Sequence, residues 1–83
     1  MRKSVFTPLY DAFRAELVRM RKKAGLSQRA LADRLGRERS FVARIELGER
    51  RLDVVEFYWF CKACRVAPAK AASVMARIAA VDR

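Results

Sequence analysis

Residues 27–36 read SQRALADRLG, and residues 39–48 read RSFVARIELG. Serine is a favoured helix N-cap, and leucine and alanine then recur at helical spacing, so the first stretch predicts a short helix that ends at a glycine. The second stretch predicts another short helix over Arg39–Leu47, with Val42 and Ile45 on its apolar face and a glycine as its stop. The pattern therefore predicts two short helices that meet at a glycine turn.

The second of these helices has an outward face that packing does not use. Its apolar residues turn toward the rest of the domain and leave other residues outside. These are Arg39, Ser40, Ala43 and Arg44, with Phe41 beside them. This is the build of a helix-turn-helix, in which one helix supports another whose outward side chains enter a DNA groove. Because arginine binds guanine through two hydrogen bonds and a phenyl ring can contact the thymine methyl group, we predict base contacts for this set.

The remaining helices are predicted from their start signals. Threonine and proline precede an apolar stripe with three- and four-residue spacing, so a first helix is expected from Pro8 to Ala24. Asp53 and Glu56 form a capping box for a fourth helix, and Pro68 suits the first turn of a fifth. No alternating pattern predicts a strand. The expected fold class is therefore all-α, a five-helix domain with the helix-turn-helix at its second and third helices.

The length of the chain allows one small domain. It has 83 residues, of which 53% are hydrophobic, with 3 glycines and 2 prolines. We therefore expect a single domain over residues 1–83, with residues 1–6 as a basic arm and residues 67–83 as a C-terminal helix that contacts a partner subunit. A core of this size is marginal, so a homodimer is expected. The expected dimer contacts are Trp59, Val74, Met75 and Ile78.

The chain is strongly basic. It has 19 Lys and Arg against 9 Asp and Glu, a formal net charge of +10. A charge of this size on a small domain favours a polyanionic partner, most often nucleic acid. The alternative is an unusually basic surface without such a partner. The basic residues coincide with the predicted helix pair, which favours double-stranded DNA.

The sequence carries no pattern typical of catalysis, metal binding or membrane insertion. It has no histidine, glycine-rich phosphate loop or nucleophile elbow, so neither an enzyme nor a cofactor is expected. Cys61 and Cys64 form a CxxC pair, but two ligands do not complete a tetrahedral zinc site, so buried reduced thiols are expected rather than metal or redox use. Arg2 and Lys3 are not followed by an apolar run, and no segment is long enough to span a bilayer, so a cytoplasmic protein is expected. No small-molecule ligand is evident.

Several short sequence motifs between residues 17 and 66 resemble those of a known protein family. They are RKKAGLSQ at residues 21–28, Leu31-Ala32, Leu35-Gly36, Val42, Arg44-Ile45-Glu46 and Gly48. In this order and spacing they resemble the lambda-repressor- and Cro-like, or XRE-type, helix-turn-helix family of transcriptional regulators. The resemblance implies a homodimer that binds an inverted-repeat operator with its third helix in the major groove.

The resemblance also implies roles for particular residues. Gln28 matches the position that grips a phosphate and braces the recognition helix, and Arg21 and Glu46 match an ion pair that ties the first helix to the third. Arg37 replaces a usually aliphatic turn residue, so its stem is expected to pack while its head reaches phosphate. The full set of implied phosphate contacts is Ser27, Gln28, Arg37, Gly48, Arg50 and Arg51.

The sequence departs from the family pattern at two further positions, and two alternative functions stay open. Ala43 stands where many relatives carry a polar residue that contacts the bases, so fewer direct base contacts are expected. A non-specific architectural DNA binder is therefore one alternative. Glu49 places a negative charge in the phosphate-facing loop. The other alternative is a protein-interaction module on the same fold, such as an antitoxin or anti-activator, which the basic outer face disfavours.

Overall fold

The computed structural model describes residues 7–82 and folds them into five α-helices without a strand. The helices are α1 (Pro8–Lys23), α2 (Gln28–Arg34), α3 (Phe41–Leu47), α4 (Val54–Ala63) and α5 (Pro68–Ala79). The predicted all-α class is therefore confirmed. The predicted basic arm, residues 1–6, lies outside the described residues.

Side-chain caps begin three of the helices at the predicted places. The Thr7 hydroxyl accepts a hydrogen bond from the Tyr10 backbone N–H at 3.1 Å, and Ser27 Oγ accepts one from the Ala30 N–H at 3.0 Å. The capping box predicted for α4 is also present. Each cap satisfies an N–H that has no acceptor within its own helix, so these boundaries follow from residues close in sequence.

The helix α3 begins two residues later than predicted, at Phe41 rather than Arg39. Arg39 lies in the preceding turn, and Ser40 is the N-cap but its side chain makes no capping hydrogen bond. The helix ends at Gly48, which has a φ of 82°, a left-handed conformation that glycine adopts without a Cβ clash. Arg39 and Ser40 therefore lie at the entrance of a two-turn helix.

The core holds α3 against α1 and α2, while α5 packs on α1 and α4. The largest side chains in this core include Leu17, Leu31, Val42, Ile45 and Phe60, all at 0% exposure. Burial of each such side chain contributes about 1.5–3 kcal/mol to the hydrophobic stabilisation of the fold. Since the apolar side of α3 is fixed here, its opposite side faces solvent.

The structure corrects one of the predicted dimer contacts. Val74 is only 3% exposed, because the face of α5 that carries it packs into the core. It is a core residue, and the prediction of a dimer contact at Val74 is wrong. Ile78 is half-buried against the same core, whereas Met75 and Trp59 are 64% and 52% exposed.

Candidate nucleic-acid interface

The outer side of α3 and the turn before it present polar side chains to solvent. Arg39, Ser40 and Arg44 are exposed, and Ala43 is half-buried. The guanidinium groups of Arg39 and Arg44 have no hydrogen-bond or ion-pair partner within residues 7–82. Two positive groups at the start and middle of the helix are therefore free to bind a ligand.

Phe41 does not belong to this outer side. Its side chain is 2% exposed, and two guanidinium groups cover the ring, with the Cζ atoms of Arg37 and Arg50 at 4.0 and 4.8 Å from its centroid. A ring that is buried and stacked on both cations cannot reach a thymine methyl group. The prediction of a base contact at Phe41 is therefore wrong.

A buried polar cluster fixes the middle of the helix pair. Arg21 donates to both carboxylate oxygens of Glu46, through Nε to Oε2 at 2.6 Å and Nη2 to Oε1 at 3.1 Å. Gln28 Nε2 donates to the same Oε1 at 2.7 Å, and Arg21 also donates to the Leu26 carbonyl at 3.0 Å. The ion pair expected between Arg21 and Glu46 is present, and through Glu46 the side chains of α1 and α2 hold α3.

A second brace, at the end of α3, was missed by the sequence reasoning. Arg14 Nη1 donates to the Glu46 carbonyl at 2.7 Å and its guanidinium lies over Gly48, where a Cβ atom would stand 3.3 Å from Arg14 Cζ. Gly48 is buried, and its N–H donates to the Ile45 carbonyl at 3.1 Å. Because this N–H is already used, the prediction of a phosphate contact at Gly48 is wrong.

Three arginines flank α3, with Arg37 before the helix and Arg50 and Arg51 after it. Arg37 and Arg50 donate to Glu56, the residue that also completes the capping box of α4. The hydrogen bond from Arg50 is the main cause that lowers the pKa of Glu56 from its ordinary 4.5 to about 2, so this carboxylate stays charged at neutral pH. Arg51 is exposed, with its guanidinium 5.5 Å from the centroid of the Tyr10 ring.

The comparison with known proteins assigns the family. The chain is similar to the solved structure of an XRE-family-like protein from Pseudomonas syringae pv. tomato str. DC3000, with 39% sequence identity and a TM-score of 0.76. The match covers 90% of this chain and 88% of that one. A family model described as a helix-turn-helix domain matches residues 12–74. The chain belongs to the XRE-type helix-turn-helix family. No curated protein matches it.

Membership of the XRE-type family makes this protein a DNA-binding regulator. The matched region contains the whole helix pair and both braces of α3. In such a domain the first helix of the pair supports the second, which enters the major groove with its N-terminal residues toward the bases. Arg39 and Ser40, at the entrance of α3, occupy that end of the helix.

The two cysteines of this XRE-type domain lie in its core. Cys61 and Cys64 are buried free thiols, and burial raises the pKa of Cys64 to about 11, which disfavours the reactive thiolate. Within residues 7–82 no three acidic or sulfur ligands come close enough together to hold a metal ion. Over the same residues, the helices are too short or too polar to span a membrane.

Two adjoining apolar grooves lie along α4 and α5, and α1 also forms part of the first. One has a volume of about 420 Å³ and is lined by Val54, Phe57 and Met75 among others; the other, of about 460 Å³, shares Val54 and Phe57 and adds Tyr58. Trp59 lines neither groove. The predicted dimer contacts Trp59 and Met75 therefore do not share one groove.

Proposed function

We propose that this protein regulates transcription by recognising a specific double-stranded DNA operator as a homodimer, with α3 in the major groove. The observation that carries this proposal is the state of Arg39 and Arg44. Neither guanidinium group has a hydrogen-bond or ion-pair partner among residues 7–82, and both side chains are exposed. Arg39 lies in the turn before α3 and Arg44 on the helix itself, which two braces and a hydrophobic core fix in place. A fixed helix with free arginines is suited to bidentate recognition of guanine, worth about 1–3 kcal/mol of discrimination for each base pair.

The proposed contacts fall into two groups. Arg39, Ser40, Ala43 and Arg44 face the bases. The second group contacts the DNA phosphates and consists of Ser27, Gln28, Arg37, Arg50 and Arg51. Gln28 uses one of its amide N–H groups to brace Glu46 and keeps the other for a phosphate oxygen. Since the chain carries a net charge of +10, affinity for any duplex should fall steeply as salt rises.

The homodimer is proposed to form through the grooves of α4 and α5. Val54 and Met75 are 79% and 64% exposed at their rim, a large apolar exposure for so small a domain. We expect Met75→Glu to shift the protein from dimer to monomer in sedimentation equilibrium. Trp59→Glu, on a helix face outside these grooves, should leave the dimer intact. A dimer that survives Met75→Glu but not Trp59→Glu would contradict this assignment.

Selection of bound duplexes from a random-sequence library tests the proposal as a whole. We expect an enriched inverted repeat whose half-sites lie one helical turn apart, about 34 Å, because two α3 helices related by a two-fold axis would meet the groove at that spacing. Two rival functions predict different results. A non-specific architectural protein would enrich no sequence, and a protein-interaction module would show duplex binding that is weak and insensitive to salt.

A further inference from the structure

Glu56 lies at the centre of a charged cluster beside the entrance of α3. Its Oε1 accepts hydrogen bonds from Arg50 Nη1 and from the Asp53 backbone N–H, both at 3.0 Å. Its Oε2 accepts from Arg50 Nη2 at 2.8 Å and from Arg37 Nη1 at 3.4 Å. The carboxylate is thus surrounded by donors, and its side chain is 13% exposed. The single carboxylate of Glu56 therefore pairs with the guanidinium groups of both Arg37 and Arg50.

The two arginines reach Glu56 from opposite ends of α3. Arg37 precedes the helix and Arg50 follows it, yet their guanidinium groups both stack on the ring of Phe41. The ring and the carboxylate together fix each head group in position. About a third of each arginine side chain still faces solvent, at 34% and 33%. Each retains N–H donors that no acceptor within residues 7–82 uses.

We propose that Arg37 and Arg50 form one preorganised clip for a DNA phosphate, and that Glu56 is its positioning residue. The proposal rests on the proposed DNA-binding function. Planar guanidinium groups match phosphate oxygens through paired hydrogen bonds. Long side chains that are ordered before binding lose less conformational entropy when the complex forms. The clip retains a net positive charge, because two guanidinium groups share a single carboxylate.

For the affinity of Glu56→Gln for duplex DNA, the clip and simple electrostatics predict changes in opposite directions. Glu56→Gln removes a negative charge from the DNA-facing edge, so charge alone would tighten binding to any duplex. If Glu56 positions the clip, the same substitution releases both arginines and weakens binding. Glu49→Gln is the matched control, because it makes the same change of charge at an exposed residue whose side chain pairs with no arginine in the described part of the chain.

The experiment measures affinity for a mixed-sequence 24-base-pair duplex from low to moderate salt. A phosphate clip acts on every sequence, so the operator is not needed. We expect Glu56→Gln to weaken binding about tenfold, as two long side chains must then be ordered on binding. The slope of log affinity against log salt should fall by about 1. Glu49→Gln should bind as tightly as the unaltered protein or more tightly.

A stability control separates positioning from loss of the α4 cap. Asp53→Ala removes the N-cap side chain and one negative charge but leaves the carboxylate of Glu56 to its arginines. We expect it to lower the unfolding temperature without weakening duplex binding. If Asp53→Ala weakens binding as much as Glu56→Gln does, the clip proposal fails. Arg50→Lys, which keeps the charge but cannot pair with two oxygens, should also bind about tenfold more weakly and provides the test if Glu56→Gln does not fold.

The outcomes distinguish this proposal from the function on which it rests. Unaltered protein that binds duplex, together with Glu56→Gln that binds as tightly or more tightly, overturns the clip and leaves the DNA-binding function standing. Unaltered protein that binds no duplex overturns both.

Discussion

Glu46→Gln should destabilise this domain far more than the loss of an ordinary surface ion pair. The carboxylate of Glu46 accepts two hydrogen bonds from Arg21 and one from Gln28, and its side chain is only 9% exposed. An amide at this position has one oxygen, so its NH₂ group would face an N–H donor of Arg21 or Gln28. The substitution also leaves the buried Arg21 guanidinium without a counter-ion.

The expected loss in the free energy of unfolding is about 3 kcal/mol, since breaking a buried pair on one side costs about 3–5 kcal/mol. Small domains have only about 5–15 kcal/mol in total, so the change is large. Urea unfolding followed by circular dichroism measures it. The matched control is Asp11→Asn, which breaks the Arg14–Asp11 pair at a side chain that is 51% exposed. That control should cost less than about 1 kcal/mol.

Equal losses for the two variants would refute the reasoning, because burial would then make no difference to the value of the pair. A loss below about 1 kcal/mol for Glu46→Gln would do the same. The double variant Arg21→Met with Glu46→Leu removes both charges and should recover much of the stability lost by Glu46→Gln, since no unpaired charge remains buried.

Three further predictions concern other parts of the fold. The folded-state pKa of Glu56 is lowered from 4.5 to about 2, so its contribution to stability is fully present above pH 4.5 and is lost as pH falls toward 2. In unfolding titrations, Glu56→Gln should therefore reduce the loss of stability between pH 4.5 and pH 2. Gly48→Ala should lower the free energy of unfolding more than Gly36→Ala. Both glycines have a positive φ, which costs an alanine about 1–2 kcal/mol, but only at Gly48 does the new Cβ also meet Arg14. Equal losses of stability in thermal unfolding would contradict this. Burial raises the pKa of Cys64 to about 11, so a thiol reagent at pH 8 should label it slowly in the native protein and rapidly in urea, and rapid native labelling would show that the thiol is accessible.

The sequence predicts those features of the fold that depend on neighbouring residues. The cap at Ser27 and the capping box of Asp53 and Glu56 join residues three positions apart, so their signals lie within one turn of helix. The left-handed end of α3 at Gly48 is equally local. Helix order and fold class follow from such signals.

Features that depend on distant residues could not be predicted in the same way. Phe41 looks like a groove-facing residue at a helix start, and only the arrival of Arg50 from beyond the helix shows that the ring is covered. The sequence alone assigned no role to Arg14, since its partner at Glu46 lies 32 positions away. The apolar stripe of α5 does not reveal that Val74 faces the core while Met75 remains exposed.

Arg44→Ala provides the decisive test of whether the outer face of α3 reads DNA sequence. The measurement is the ratio of affinities for the selected operator and a scrambled duplex at one salt concentration. We expect the ratio to fall by about tenfold or more, the value of a bidentate contact between arginine and guanine. Arg19→Ala, which removes the same charge from α1 beside Glu16 and Arg77, should leave the ratio unchanged. A ratio that Arg44→Ala leaves unchanged would contradict recognition by this helix.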